Sequence, residues 1–201
     1  MTKHLLVVTA LMGMAACSSG EKKAETAPAQ APESFRVKLD TSKGPVVIEV
    51  TRAWAPRGAD HFYDLVQHKF YDEARFFRVV KGFVVQFGVN KDPAVGARWA
   101  SAIEDDPVRQ SNTPGMVVYA ATQSPNSRNT QIFINTGNNS QSLDPQGFAP
   151  FGKVVAGLDH VYDFYDGYGE TPDQAAIQST GNAYLEANFP RLDFIKTARV
   201  E

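Results

Sequence analysis

Three short stretches of this sequence set a polar side chain beside apolar ones at the spacing of a strand. In Phe76-Phe77-Arg78-Val79-Val80, strand alternation puts Arg78 on a face with Phe76 and Val80, and Phe77 with Val79 on the other. In Val84-Val85-Gln86-Phe87, Val85 and Phe87 suit a core and leave Val84 beside Gln86. In Gln131-Ile132-Phe133-Ile134, the isoleucines suit the same core and leave Gln131 beside Phe133. A lone Arg or Gln on an outward face is ordinarily just solvated. As neighbouring strands, however, the three would form an apolar pocket edged by Arg78, Gln86 and Gln131, the composition of a binding site.

Other chemistry finds little support. No Ser, His and Asp set is visible, and the single cysteine, Cys17, lies near the N-terminus, so nucleophilic catalysis has no candidate. His61, His68 and His160 are scattered over helical stretches and read as surface or helix residues, so neither a metal nor another cofactor is expected. With 20 basic and 22 acidic residues the net charge is −2, and nothing calls for nucleic acid.

The elements that position these residues follow from pattern. A chain of 201 residues with 43% apolar content holds one packed domain. Its 13 Phe and 7 Tyr among 15 Gly and 12 Pro favour short strands and turns, so a mainly β domain is expected. Phe35 to Leu39 and Val46 to Val50 alternate around Thr41-Ser42-Lys43-Gly44 and read as an opening hairpin. Pro56 then starts an amphipathic helix running to about Lys69. Arg75 to Val80 and Phe83 to Val89 form a second strand pair, followed by a polar loop containing Pro93, Gly96, Pro107 and Pro114. Further strands are Met116 to Ala121, Gln131 to Asn135 and Phe151 to Val155, with a short helix over Leu158 to Tyr165. Leu192 to Val200 is a last strand placed to pair with the first and close a barrel, which would remove the edges of an open sheet.

The N-terminus is of another kind. Lys3 precedes an apolar run from Leu5 to Met14, too short to span a bilayer, which reads as a secretion signal over residues 1–17. Its end, Leu11-Met12-Gly13-Met14-Ala15-Ala16-Cys17, resembles a bacterial lipobox, with Cys17 as the residue to be lipidated. Residues 18–33 contain no large apolar side chain and read as a flexible tether, about 20 Å end to end as a coil. The folded domain is then 34–201. A lipid-anchored protein of the cell envelope is expected, in the outer membrane since Ser18 is not the Asp associated with inner-membrane retention, with its domain in the periplasm.

The segment from Phe76 to Gly88, followed by Gly115 to Ala121, Thr130 to Ile134 and Phe151 to Val154, resembles the cyclophilins, the peptidyl-prolyl cis/trans isomerases of that type. The resemblance covers nearly all of residues 34–200 and implies a closed eight-stranded antiparallel β-barrel capped by two α-helices, acting as a monomer on proline-containing polypeptides. It implies catalytic roles for Arg78, Gln86 and Phe133. Phe83, Val84 and Leu143, with Phe133, would form the proline pocket, and Ala120, Ala121 and Gln131 would hold the peptide. The sequence departs from the family pattern at Phe77 for a His, Ala121 for an Asn, Ser142 for a Trp and Phe148 for a pocket His. These departures motivate a second reading, a noncatalytic module that holds proline-containing segments. Retention of Arg78, Gln86, Phe133 and Gln131 argues for the isomerase.

Overall fold

The computed structural model describes residues 30–201. The signal, Cys17 and most of the tether lie outside the described residues. Ala31 is already buried and its N–H donates to Asp60 Oδ1 at 2.9 Å, while the Glu33 carbonyl accepts from the Arg52 N–H at 3.0 Å. The end of the tether-like composition is therefore fixed to the folded body.

Alternation produces the first hairpin as expected. Strands Ser34–Thr41 (β1) and Gly44–Thr51 (β2) pair with Val37 opposite Ile48, and Val37, Leu39, Val46, Ile48 and Val50 are all buried. Pro56 opens helix Pro56–Gln67 (α1), whose Ala59, Phe62, Leu65 and Val66 face inward. Strands Arg78–Val80 (β3), Val84–Phe87 (β4), Met116–Tyr119 (β5), Ile132–Asn135 (β6), Pro150–Ala156 (β7) and Ile195–Val200 (β8) complete the sheet. The order is β3-β4-β6-β5-β7-β2-β1-β8, and every pairing is antiparallel.

The closed barrel expected from the sequence is corrected here: the sheet is an open, curled half-barrel. β8 pairs with β1 as foreseen, but no ladder joins it to β3. The two ends meet only before β3, through an isolated bridge between Arg75 and Phe194 and hydrogen bonds Phe76 N to Asp193 O and Ile195 N to Ala74 O. Along β3 itself the free edge is taken by another partner, the Gly169 carbonyl, which accepts from Val79 N at 3.3 Å. A strand of three residues with its edge occupied cannot also receive β8.

The expectation of two helices is likewise corrected to six α-helices among the described residues. α1 lies across β7 and β8, and Leu158–Tyr162 (α4) against β2. Pro93–Arg98 (α2) arises inside the segment read as a polar loop: Asp92 accepts from Ala94 N at 2.8 Å, and Pro93 stands in the first turn. Ser140–Leu143 (α3) is a single turn. Gln174–Thr180 (α5), capped by Asp173, and Asn182–Asn188 (α6) form a small layer before β8.

Three apolar clusters organise this body. The largest fills the curl and includes Ile48, Phe62, Tyr71, Phe76, Val79, Val85, Phe87, Ile132 and Ile134. A second joins Phe77 to Ile177, Leu185, Phe189 and Leu192 beneath α5 and α6. The third, Val84, Val118, Phe133 and Leu143, lies on the outer side of β4, β5 and β6. Phe76 and Val79 share the first cluster although they are three residues apart. Strict alternation therefore fails before Arg78, because β3 starts only there.

Candidate active site

Register brings the polar groups into one row. Arg78 on β3 lies directly opposite Gln86 on β4, and Gln86 opposite Phe133 on β6. Arg78 Nη1 donates to Gln86 Oε1 at 3.1 Å, and Gln86 Nε2 donates to Gln131 Oε1 at 2.8 Å. The row thus has a direction, each amide oxygen accepting from the group before it. Gln86 is almost wholly buried, so its amide is held by these bonds rather than by solvent.

Beside the row lies the apolar part. Val84, Val118, Phe133 and Leu143 form its floor, with Phe83, Ala120 and Phe148 packed against them. The Phe133 and Phe148 rings meet edge to face, 5.7 Å between centroids. Phe83 lies under the cation, its ring centroid 5.4 Å from Arg78 Cζ. The row and the floor, apart from Val118, which is fully buried behind it, line a cleft of about 300 Å³. Every candidate site residue of the domain borders this cleft: Arg78, Gln86 and Gln131 of the row, Phe83, Val84 and Phe133, and Ala120, Ala121, Leu143 and Phe148.

The loop carrying Leu143 and Phe148 is fixed from behind by a buried amide network. Asn112 Nδ2 donates to Asp144 Oδ1 at 2.7 Å and to the Phe148 carbonyl at 2.9 Å. Asn135 Nδ2 donates to Asn112 Oδ1, and Asn139 Nδ2 to both Asn135 Oδ1 and the Phe83 carbonyl. Burial pushes the Asp144 carboxyl up, but the hydrogen bonds from Asn112 and Ser111 prevail and hold it below the usual carboxylate range. Phe83 and Phe148, which both line the cleft, are thus tied through their carbonyls to one polar frame. Gly88 closes the other end: its φ is +109, its carbonyl accepts from Thr130 Oγ1 at 2.8 Å, and a Cβ there would lie 2.8 Å from Gln131 Cα.

The sequence reading missed several residues of the cleft. Thr122, Ser127 and Asn129 come from the loop after β5, where no periodic signal marks them. Gln174 and Gln178 come from α5; Asp173 as a cap and the four-residue spacing of the glutamines were the available signal. Glu170, which touches Arg78, was also missed. Ser142 is exposed and does not line the cleft; its Oγ donates back to the Asn139 carbonyl at 3.0 Å.

A family model described as cyclophilin type peptidyl-prolyl cis-trans isomerase/CLD matches residues 36–182. The chain belongs to this family. A peptidyl-prolyl cis-trans isomerase of Acinetobacter baylyi is 33% identical over 129 residues, 62% of this chain and 69% of that protein. Peptidyl-prolyl cis-trans isomerase B of Escherichia coli is 28% identical over 171 residues, 79% of this chain and 94% of that protein. Among solved structures, a cyclophilin-type isomerase of Cryptosporidium parvum superposes with a TM-score of 0.63 at 18% identity, covering 84% of this chain and 98% of the other. That protein has also been solved in the presence of the dipeptide Ala-Pro, and this structure superposes with a TM-score of 0.62. These superpositions establish a shared cyclophilin fold. Within it, Phe77, at the position of the family's His, is buried beneath α5 and α6 and not in the cleft.

Proposed function

We propose that this cyclophilin accelerates cis/trans rotation about X-Pro peptide bonds, with Arg78, Gln86 and Phe133 as catalytic residues. The observation that carries the reading is the single cleft in which a hydrogen-bonded row from Arg78 to Gln131 runs beside a floor made by Val84, Phe133 and Leu143. The obstacle to rotation is the partial double bond of the amide, a barrier of about 20 kcal/mol. The apolar floor grips the proline ring, while Gln131 and the main chain at Ala120 and Ala121 hold the flanking peptide, so that rotation is confined to one bond. As the amide twists, its nitrogen becomes pyramidal and gains a lone pair. A guanidinium N–H of Arg78 directed at that nitrogen stabilises the twisted state more than the planar one. Each tenfold of rate needs about 1.4 kcal/mol, so several decades draw on the whole cleft.

The proposal extends to place. Residues 1–17 direct export, Cys17 carries lipid, and the part of residues 18–33 that precedes the docked Ala31 tethers a monomeric domain that serves exported proteins in the periplasm, from the outer membrane. Its support is the charged start, the short apolar run and the lipobox-like end. The test is a proline-isomerisation assay with the purified full chain on a test peptide containing one X-Pro bond. Catalysed relaxation supports the reading. Peptide binding with no acceleration would replace it with the noncatalytic module.

A further inference from the structure

We propose that Glu170 is a positioning residue for Arg78, delivered to the guanidinium from outside the cleft by the segment between α4 and α5; the inference rests on the isomerase reading. Arg78 Nε donates to Glu170 Oε1 at 2.7 Å, and Nη2 lies against the same oxygen. Nη1 is taken by Gln86. One planar group is thus held at two edges by partners on opposite sides. An arginine side chain has much rotamer freedom to lose, and the bond to Gln86 with the Phe83 ring beneath the cation would still leave the plane free to turn over that ring.

The carboxylate does not reach Arg78 by chance of a mobile surface side chain. Its loop is anchored to the strand that carries Arg78: Val79 N donates to the Gly169 carbonyl at 3.3 Å, and Lys81 Nζ pairs with Asp166 at 3.0 Å. Gly169, at φ +52, makes the turn that Gly169 N to Asp166 O closes at 2.9 Å. Tyr168 pins the loop from the other side, its ring 5.0 Å from that of Phe189 under α6. The neighbours of Glu170 and Arg78 in sequence are therefore bonded to each other through the main chain.

Stability does not account for the contact. Arg78 is 26% and Glu170 62% exposed in their side chains, and an ion pair so open to water contributes little to folding. Damping of the charge is the competing account, and it has the opposite consequence. A carboxylate that merely weakened the field at the reacting amide would slow the enzyme, and its removal would raise turnover. A carboxylate that aims the guanidinium speeds it, and an uncharged acceptor of the same shape does so too.

The experiment compares the full chain with Glu170→Ala and Glu170→Gln on one X-Pro test peptide. Positioning predicts that Glu170→Ala lowers kcat about three- to tenfold with KM within twofold, and that Glu170→Gln, whose amide oxygen accepts the same N–H groups, recovers most of the loss. The Arg78 Nε–H resonance, assigned by its disappearance in Arg78→Lys, should be slow to exchange in the native and Glu170→Gln chains and fast after Glu170→Ala. Native kcat after Glu170→Ala, a rise in turnover, or a Glu170→Gln chain as slow as Glu170→Ala would each overturn the inference. A native chain with no turnover would overturn the isomerase reading instead. The exchange of the Nε–H would still report whether Glu170 holds Arg78.

Discussion

At the scale of single residues, the mechanism proposed above gives Arg78 and Phe133 different stages of the substrate's rotation. In that proposal Arg78, hydrogen-bonded to Gln86, acts on charge that exists only in the twisted amide, whereas Phe133, in the apolar floor, grips the ring in both states. Arg78→Ala should therefore lower kcat by about a hundredfold or more and change peptide affinity by only a few fold. Phe133→Ala should weaken affinity and kcat/KM together, since it removes apolar contact throughout. Parallel calorimetry and steady-state assays separate the two patterns. Equal losses of affinity in both variants would show that Arg78 holds the ground state. Gln86, Gln131 and Phe133 were legible from strand parity, whereas for Arg78 parity gave Phe76 as a companion on its face, which the structure puts in the main core, and the motif resemblance singled it out. Glu170 was not legible, since 92 residues separate it from Arg78 and no local period connects them.

At the scale of elements, the cleft depends on how closely β4 approaches the strand that carries Phe133. Gly88, one residue past β4, sits at φ +109 with no room for a Cβ against Thr130 and Gln131. Gly88→Ala should combine backbone strain with displacement of Gln131, lowering the thermal midpoint by several degrees and uncoupling Gln86 from its acceptor. Turnover measured well below the melting range should fall too. A variant with native midpoint and native turnover would show that the segment gives way freely. The hairpin was readable from alternation, α1 from helical spacing and the six later strands as short, largely apolar runs bounded by turn residues, since each places side chains in the main cluster. The layer of α5 and α6 was not. Its apolar residues bury against Phe77 and Leu192, outside that cluster, so no pattern tied to the main core reveals them. The same layer explains the open sheet, since the segment leading into it occupies the edge of β3 that closure would require.

At the scale of the whole molecule, protons should act in two steps. Burial between Trp99 and Tyr119 lowers the pKa of His61 from 6.5, despite the opposing pull of the main chain at Asn129 and of Asp64. The unfolded chain takes up this proton near 6.5 and the folded chain only at lower pH, so stability should decline as pH falls below about 6.5. Burial raises the carboxyls of Asp60, Asp72 and Asp144, but Arg52 with the Ala31 N–H, Arg199 with the Ala198 N–H, and Asn112 with Ser111, respectively, together outweigh it and hold them below 3.8. Their contribution is present above 3.8 and is lost as pH falls through the lower folded values. Thermal midpoints taken from pH 8 to pH 2.5 should show both declines, and His61→Phe should abolish the upper one. An upper decline that survives in His61→Phe would assign it elsewhere. Lipid on Cys17 is the anchor proposed for the chain, so Cys17→Ser should move the protein from the membrane to the soluble fraction with its isomerase activity intact. Continued sedimentation with membranes would reject that anchor. The floor of the cleft lies on the outside of the curled sheet, opposite the main core. A polypeptide therefore needs no free end to enter, and nothing has to be threaded through the enzyme. A proline in a loop still attached on both sides can be seated, turned and released, while one already covered by its own finished core cannot reach the floor. On the proposed function, an outward cleft would discriminate between clients by how completely they have folded, through access alone.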